Sequence, residues 1–470
     1  MLTYSFNNIG SDSLYNYLYK CIRDDILAGK LKSGEKLPSK RTFAKNLGIS
    51  VITVENAYEQ LSAEGYIYSI AKKGFYVADM KNLSGIKPVF GHTEDINTST
   101  DPGKYIADFT SNKVNKDLFP FSVWSKLIRE VLRDNQELIL AAPSYKGTEE
   151  LRSAISDYLR DFKGIKADPD HIIIGAGSEN LYGQIVQLLG HDKIYGVEDP
   201  GYQKTSAVYE ANGVRLARIP FDRAGINIEK LLSEGVNVAH ISPSHQFPTG
   251  IVTPISKRYE LLGWASKEED RYIIEDDYDS EFRLTGHPIP SLFSIDTTGK
   301  VIYMNTFSKS LSPSLRVSFM VLPDKLMARY KENLSFYTCP VTSMIQLTLA
   351  RFILEGYFEK HLNRMRNFYK RQRDTLIRLI SESKMSELVS ISEEDAGLHF
   401  LISFNELDCT DSEFKALLLK KGIKIYALSD FYYDKSNPTE HTFVLNYSSL
   451  TEDELTKAVA ILDRITCKPK

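Results

Sequence analysis

Thr306-Phe307-Ser308-Lys309-Ser310-Leu311-Ser312-Pro313-Ser314-Leu315-Arg316 follows directly on the bulky run Val301-Ile302-Tyr303-Met304. A short, uninterrupted apolar run of this kind reads as a strand covered on both faces. It places Lys309 at the carboxyl end of that strand, where open α/β sheets hold their ligands. A lysine amine at such a place can condense with an aldehyde to form a Schiff base. Arg316, seven residues on, can clamp a phosphate, with the Thr306 and Ser308 hydroxyls beside it. Taken alone, Lys309 would read as a solvated loop lysine. Its neighbours argue otherwise.

Upstream, Tyr272-Ile273-Ile274-Glu275-Asp276-Asp277-Tyr278-Asp279 sets acids at a second strand end. A pyridoxal 5′-phosphate (PLP) ring needs a carboxylate against its pyridinium nitrogen to act as an electron sink, and it gains from a phenol near its ring hydroxyl. The acids and the tyrosine of this stretch can supply those two parts. A magnesium site built on the same acids is the competing reading. Asp276 and Asp279 lie three apart, with no further acid-rich strand end to complete it, so no metal is expected. Gly175-Ala176-Gly177-Ser178-Glu179-Asn180 follows the run 172–174 and opens a helix, which makes a phosphate cradle of backbone N–H groups. A dinucleotide site competes here, but Asn180 stands where GxGxxG needs its third glycine. Asp199-Pro200-Gly201-Tyr202 presents an aromatic able to stack on a flat ring, or simply to pack.

Further short apolar runs at 194–197, 236–241, 272–274 and 319–322 alternate with helical patterns at 181–189 and 258–266. Strand–helix alternation predicts a mostly parallel sheet in an α/β domain. From about residue 336 the pattern changes to one long helical run through Arg364 and Arg373. Short strands then follow at 398–404, 423–427 and 443–446. Residues 104–470 therefore read as one effector domain, with a large subdomain to about 335 and a small α+β subdomain over about 336–470. Residues 79–103 are polar and rich in Gly, Pro, Ser and Thr, and read as a linker.

The 470 residues exceed one small core, and 42% apolar with 25% charged residues is the composition of a soluble globular protein. No basic-then-apolar leader opens the sequence and no apolar run is long enough to span a membrane. Four scattered cysteines without a CxxC pair argue against zinc and a disulfide framework, and for a reduced, cytoplasmic setting. Residues 1–78 hold ten Lys/Arg against seven Asp/Glu, a mildly basic module in a chain of net charge −3. That charge permits DNA binding without demanding it.

Within residues 1–78, Leu14, Leu18, Ile22 and Ile26 recur at helical spacing over 13–28. Ser39 can cap a second helix carrying Phe43, Ala44 and Leu47. Gly48 ends it, and Ser50 can cap a third helix burying Val54, Tyr58 and Leu61. Two short helices about this turn make a helix-turn-helix pattern. The segments 66–68 and 74–77 flank Ala71-Lys72-Lys73, a hairpin with a basic tip. Such a module suits a DNA reader, its third helix in the major groove and Lys72 and Lys73 along the backbone. A small protein-interaction module is the other reading.

LPSKRTFAKNLGIS (37–50) and TVENAYEQLSAEGYIYSIAKKGFYV (53–77) resemble the winged helix-turn-helix of GntR regulators. Pro243-Ser244-His245-Gln246-Phe247-Pro248-Thr249-Gly250, IIEDDYDSEF (273–282) and TFSKSLSPSLR (306–316) resemble the MocR/GabR regulators, in which such a module precedes a fold-type I aminotransferase-like domain. The resemblance runs from about residue 13 to the end, apart from the linker. It implies that Lys309 holds PLP as a Schiff base, that Asp276 pairs with the pyridine nitrogen, and that Tyr278 reaches the ring hydroxyl. It also implies that Tyr202 stacks on the ring, while Ser178, the Glu179 backbone, Thr306, Ser308 and Arg316 hold the phosphate. Ser39, Lys40, Arg41, Ser50, Thr53, Asn56, Lys72 and Lys73 are the implied contacts to a double-stranded operator. Val51 departs from the arginine usual after the helix-capping serine, which moves the contact toward Lys40, Arg41, Thr53 and Asn56 or alters the operator.

The resemblance further implies a head-to-tail homodimer and a small effector. Where GabR-like chains carry an arginine for an amino-acid carboxylate, this chain has Asp430 in Leu428-Ser429-Asp430-Phe431, and Gln203-Lys204 replaces an arginine-bearing loop. An aspartate cannot pair a carboxylate. The effector expected is therefore a cationic amine, an amino acid unlike a simple γ-amino acid, or PLP itself, met by Lys204 and Asp430. Phe247 stands where true aminotransferases have Asn before Pro-Thr-Gly, which argues against efficient turnover and for a half-transamination at most. A working aminotransferase with an accessory DNA-binding module remains the alternative.

Overall fold

The computed structural model describes residues 2–4, 6, 12–79, 105–111, 117–222, 224–285, 289–436 and 438–467. The chain divides into two compact units, Met1–Thr100 and Asp101–Lys470. Apart from Asp79, the segment read as a linker, 79–103, lies outside the described residues.

In the first unit, three helices pack against a hairpin. Leu14–Leu27 buries Leu18, Ile22 and Ile26, and Lys40–Leu47 buries Phe43 and Ala44. Val51–Ala63 buries Val54, Ala57, Tyr58 and Leu61. The Ser39 and Ser50 hydroxyls accept from Thr42 N (3.2 Å) and Thr53 N (3.1 Å), so both helices start where the sequence reading puts them. Gly48, at φ 67°, ends the second helix in the left-handed region that costs a residue with a Cβ energy. Strands Ile67–Ile70 and Gly74–Val77 pair antiparallel, and Tyr58 packs between Phe43 and Phe75 while donating to the Pro38 carbonyl. Each cap is worth about 1 kcal/mol, and each fully buried Leu, Ile or Phe roughly 1.5–3 kcal/mol. Packing therefore holds this module together, and the caps decide where its helices begin.

The second unit is built on an eight-stranded sheet. Its order is Ile172–Gly175, Ser318–Val321, Val301–Thr306, Tyr272–Asp276, Val238–Ile241, Ile194–Asp199, Arg215–Asp222 and Gly225–Ile226. The five strands from Val301–Thr306 to Arg215–Asp222 run parallel, and Ser318–Val321 runs antiparallel to both its neighbours. The central strands are buried along their length, with separate apolar layers on the two faces. Arg215–Asp222 has no counterpart in the sequence reading, because it alternates exposed with covered residues and carries Pro220 near the sheet edge. This is the mixed sheet of a fold-type I aminotransferase-like domain.

Two expectations for the C-terminal part are corrected. The single helical run from about 336 is two helices, Ser343–Leu354 and Tyr357–Ser381, broken at Gly356 with φ 74°. The single strand over 423–427 is two short ones. Ile423–Lys424 pairs with Ala107–Asp108, and Tyr426–Ala427 pairs with Thr442–Asn446. That second pair belongs to a four-stranded antiparallel sheet with Val389–Ser392 and His399–Phe404. Its core joins Phe400, Phe443 and Leu445 to Met365, Tyr369 and Leu376 of the long helix. Among the described residues, no helix is long and apolar enough to cross a membrane.

Candidate functional site

Three neighbouring features of the sheet converge on one cavity of ≈ 270 Å³ at the carboxyl ends of its strands. Thr306 closes the strand Val301–Thr306 and caps the four-residue helix Phe307–Ser310, its hydroxyl accepting from Ser308 N at 3.2 Å. This sharp turn from strand to helix brings Lys309 into the cavity wall. Burial there holds its pKa below the ordinary lysine value, partly opposed by Asp279. A depressed pKa keeps more of the amine neutral and nucleophilic.

Asp276, last residue of Tyr272–Asp276, is buried in the same wall. Tyr182 Oη donates to its Oδ2 at 2.6 Å, and His240 Nε2 lies 3.4 Å away. His240 Nδ1 in turn meets Tyr209 Oη at 2.8 Å. Tyr278 lies two residues beyond Asp276, its phenol held well above the ordinary tyrosine range by burial and by Asp279 and Asp276. Its hydroxyl stands 3.1 Å from His245 Nδ1.

The phosphate-cradle segment behaves as a helix start. Gly175 ends its strand, Gly177 adopts φ 88°, and Ser178 opens the helix Ser178–Leu189. A Cβ on Gly177 would lie 2.4 Å from an Arg316 guanidinium nitrogen, so glycine alone leaves room for that arginine. Arg316, itself at φ 52°, donates to the Ala176 carbonyl at 3.2 Å and pairs with Glu179. Glu179 also pairs with Lys204. Burial pushes the Glu179 carboxyl up, but its two cationic partners outweigh that and hold it below the usual range. Ser178, Glu179, Thr306, Ser308 and Arg316 all line the cavity. The donor set fits a phosphate: a helix N-terminus, hydroxyls and a guanidinium line the same cavity as the buried carboxylate of Asp276.

Tyr202 lines the cavity half-exposed, edge-on to Phe247 at 5.6 Å. Of the two effector candidates, the structure brings Lys204 to this wall and leaves Asp430 off it. The Asp430 carboxylate pairs with Lys415 and accepts from Ala427 N at 2.9 Å, and its carbonyl accepts from Gln203 Nε2 at 2.7 Å. Sequence reasoning missed Tyr182, His240 and Glu198. Tyr182 stands four residues after Ser178, one helical turn, which is a findable signal. A histidine inside the buried run Val238–Ile241 is another. Glu198 lies half-buried in the wall near the end of Ile194–Asp199, accepting from Ser242 N (3.2 Å) and Gln246 Nε2 (3.4 Å), and loss of water around it pushes its pKa up to about 8.

In the first unit, Arg41, Ser50, Asn56, Lys72 and Lys73 are exposed, and Thr53 is partly so. Ser39 is exposed beside its cap. Lys40 is committed within the module, paired with Glu55 at 2.7 Å and lying over the Phe75 ring. Lys72 sits at the hairpin tip with φ 63°. Val51, which stands in place of the usual arginine, and its neighbour Ile52 are exposed apolar residues at the start of the third helix.

The gntR family of bacterial regulatory proteins matches residues 14–77, and the aminotransferase class I and II family matches residues 106–462. The HTH-type transcriptional regulator YdeL of Bacillus subtilis (strain 168) is 38% identical over 95% of each chain. The probable rhizopine catabolism regulatory protein MocR of Rhizobium meliloti is 30% identical, over 93% of this chain and 90% of its own. The crystal structure of the kynurenine aminotransferase of Pyrococcus horikoshii superposes with a TM-score of 0.66 at 26% identity, covering 78% of this chain and 92% of that one. The chain thus belongs to the MocR-type HTH transcriptional regulators, in which a gntR-family DNA-binding module is joined to an aminotransferase class I and II domain.

Proposed function

We propose that the chain is a PLP-dependent regulator that binds operator DNA through residues 1–78 and senses PLP or a small amine or amino acid in its aminotransferase-like domain, 104–470. The observation that carries this reading is the convergence of Lys309, Asp276, Tyr278 and the Ser178–Arg316 cradle on one cavity. When bound, PLP supplies an aldehyde for the Lys309 amine and a ring that accepts electrons. Asp276, oriented by Tyr182 and His240, holds the proton of the pyridine nitrogen. Tyr278 offers its phenol to the ring hydroxyl, Tyr202 covers the ring, and Ser178, the Glu179 backbone, Thr306, Ser308 and Arg316 take the phosphate.

The effector enters past Lys204. A cytoplasmic head-to-tail homodimer is the expected assembly, matching a reader that meets two operator half-sites. An effector controls the reader only if it binds two conformations with different affinity.

The test is a PLP titration of the full chain, followed by its near-visible absorbance, together with footprinting on the promoter beside its own gene. The purified protein should take up PLP with a new absorbance band, and Lys309→Ala should lose that band while keeping its far-UV circular dichroism. An unchanged band in Lys309→Ala overturns the cofactor assignment. Steady keto-acid production without any protected DNA would replace regulation with catalysis.

A further inference from the structure

Beside the cofactor cavity lies a smaller one of ≈ 60 Å³, walled in part by Lys163, His245, Asp277, Asp279, Glu281 and Arg366. Three buried atoms of its wall, His245 Nε2, Asp277 Oδ1 and Arg283 Nε, find no hydrogen-bond partner among the described residues. An unmet buried polar atom costs roughly 1–3 kcal/mol, so three around one polar hollow call for water. The volume suits roughly two molecules.

His245 lines the small cavity and reaches the larger one only through Tyr278. Its Nδ1 lies 2.9 and 3.1 Å from the two Asp279 oxygens and 3.1 Å from Tyr278 Oη, and Tyr278 lines the larger cavity. A carboxylate needs a donor, so Nδ1 carries a proton and Nε2 is the nitrogen that gains or loses one. The imidazole fits because residue 397 is glycine, at φ 72°. A Cβ there would fall 1.9 Å from His245 Cε1.

We propose that the Asp279–His245 pair is a proton store for the cofactor cavity. His245 takes up or releases a proton at Nε2 through the water of the small cavity. The charge it gains, 3.1 Å from the Tyr278 phenol, sets how tightly the ring-hydroxyl edge of the cofactor holds its own proton. This rests on the PLP reading above, and His245 acts as a positioning residue through Tyr278.

The carboxylates of Asp279 and Glu393 lie near the imidazole, and His399 packs beside it with ring centroids 4.7 Å apart. Burial, first, and then His245 keep His399 well below the ordinary histidine range, so it stays neutral. Around the small cavity Lys163, Arg283 and Arg366 face Asp277 and Glu281. Asp276 and Glu198 approach Tyr278 from the larger cavity.

The experiment is a pH titration of the near-visible absorbance of the PLP-loaded full chain. Replacing His245 by Asn removes the proton donor that the Tyr278 phenol relays toward the cofactor, so the ring-hydroxyl edge should hold its own proton to higher pH. The midpoint should rise by about one pH unit, a tenfold change in the protonation constant, and His245→Gln should do the same should the Asn variant fold poorly. In a Tyr278→Phe background the same substitution should leave the midpoint still, because the shared phenol is gone. An unmoved midpoint in both His245 variants with normal cofactor content overturns the proposal, as does an equal shift with or without Tyr278. A wild-type chain that forms no band at all defeats the PLP reading, and the proposal with it.

Discussion

Glu198 is a carboxyl group held by amide donors in a wall that removes it from water. Burial raises its pKa from the ordinary 4.5 to about 8. The sign follows from linkage: the unfolded chain releases this proton near pH 4.5 and the folded chain keeps it until about pH 8. Its protonated form therefore contributes stability that is full below pH 4.5 and is lost as pH rises through 8. Glu198→Gln, neutral at every pH, should flatten that slope. The wild type should lose of the order of a few kcal/mol relative to the variant between pH 5 and 9. Urea unfolding at a series of pH values reads the difference, and parallel curves would mean that Glu198 ionises freely in the fold. Lys309 shows the same desolvation with the opposite direction of shift, since for an amine the neutral form favoured by burial is the one with the lowered pKa.

At the scale of elements, the DNA contacts expected from the sequence fall on the hairpin and the third helix. Lys72 and Lys73 lie at an exposed turn, and phosphate contacts of this kind release counterions on binding. Replacing either by Glu should weaken operator and non-operator binding alike and reduce the slope of log K against log salt by about one. A change confined to the operator would instead mark base readout. Legibility in the sequence follows the elements too. Runs such as Ile172–Gly175 and Val301–Thr306 were readable because strands covered on both faces are apolar throughout. Arg215–Asp222 was not, since a partly exposed strand resembles a loop in composition. Lys309, Asp276 and Tyr278 stand at strand ends, where polar residues after apolar runs attract notice. Tyr182, His240 and Glu198 lie inside elements, where a tyrosine or histidine reads as packing until tertiary register sets it against Asp276.

For the whole molecule, two compact units with separate cores imply two unfolding events. Calorimetry of the full chain should show two transitions, and PLP should raise only that of the aminotransferase-like unit. At one hundred times its dissociation constant a ligand adds about 2.7 kcal/mol to the unit that binds it. One transition that moves as a whole would show that the units melt together.

Glu179 grips two cations, one in the phosphate cradle and one at the cavity mouth. An anion arriving at Arg316 is thus a competitor before it is a guest, since it displaces a carboxylate already neutralised there. Its net gain is the difference between two ion pairs rather than the sum of its new contacts. The evicted carboxylate would remain tethered to Lys204, so filling the cradle would shift charge onto that neighbouring cation, and a single side chain would couple the two.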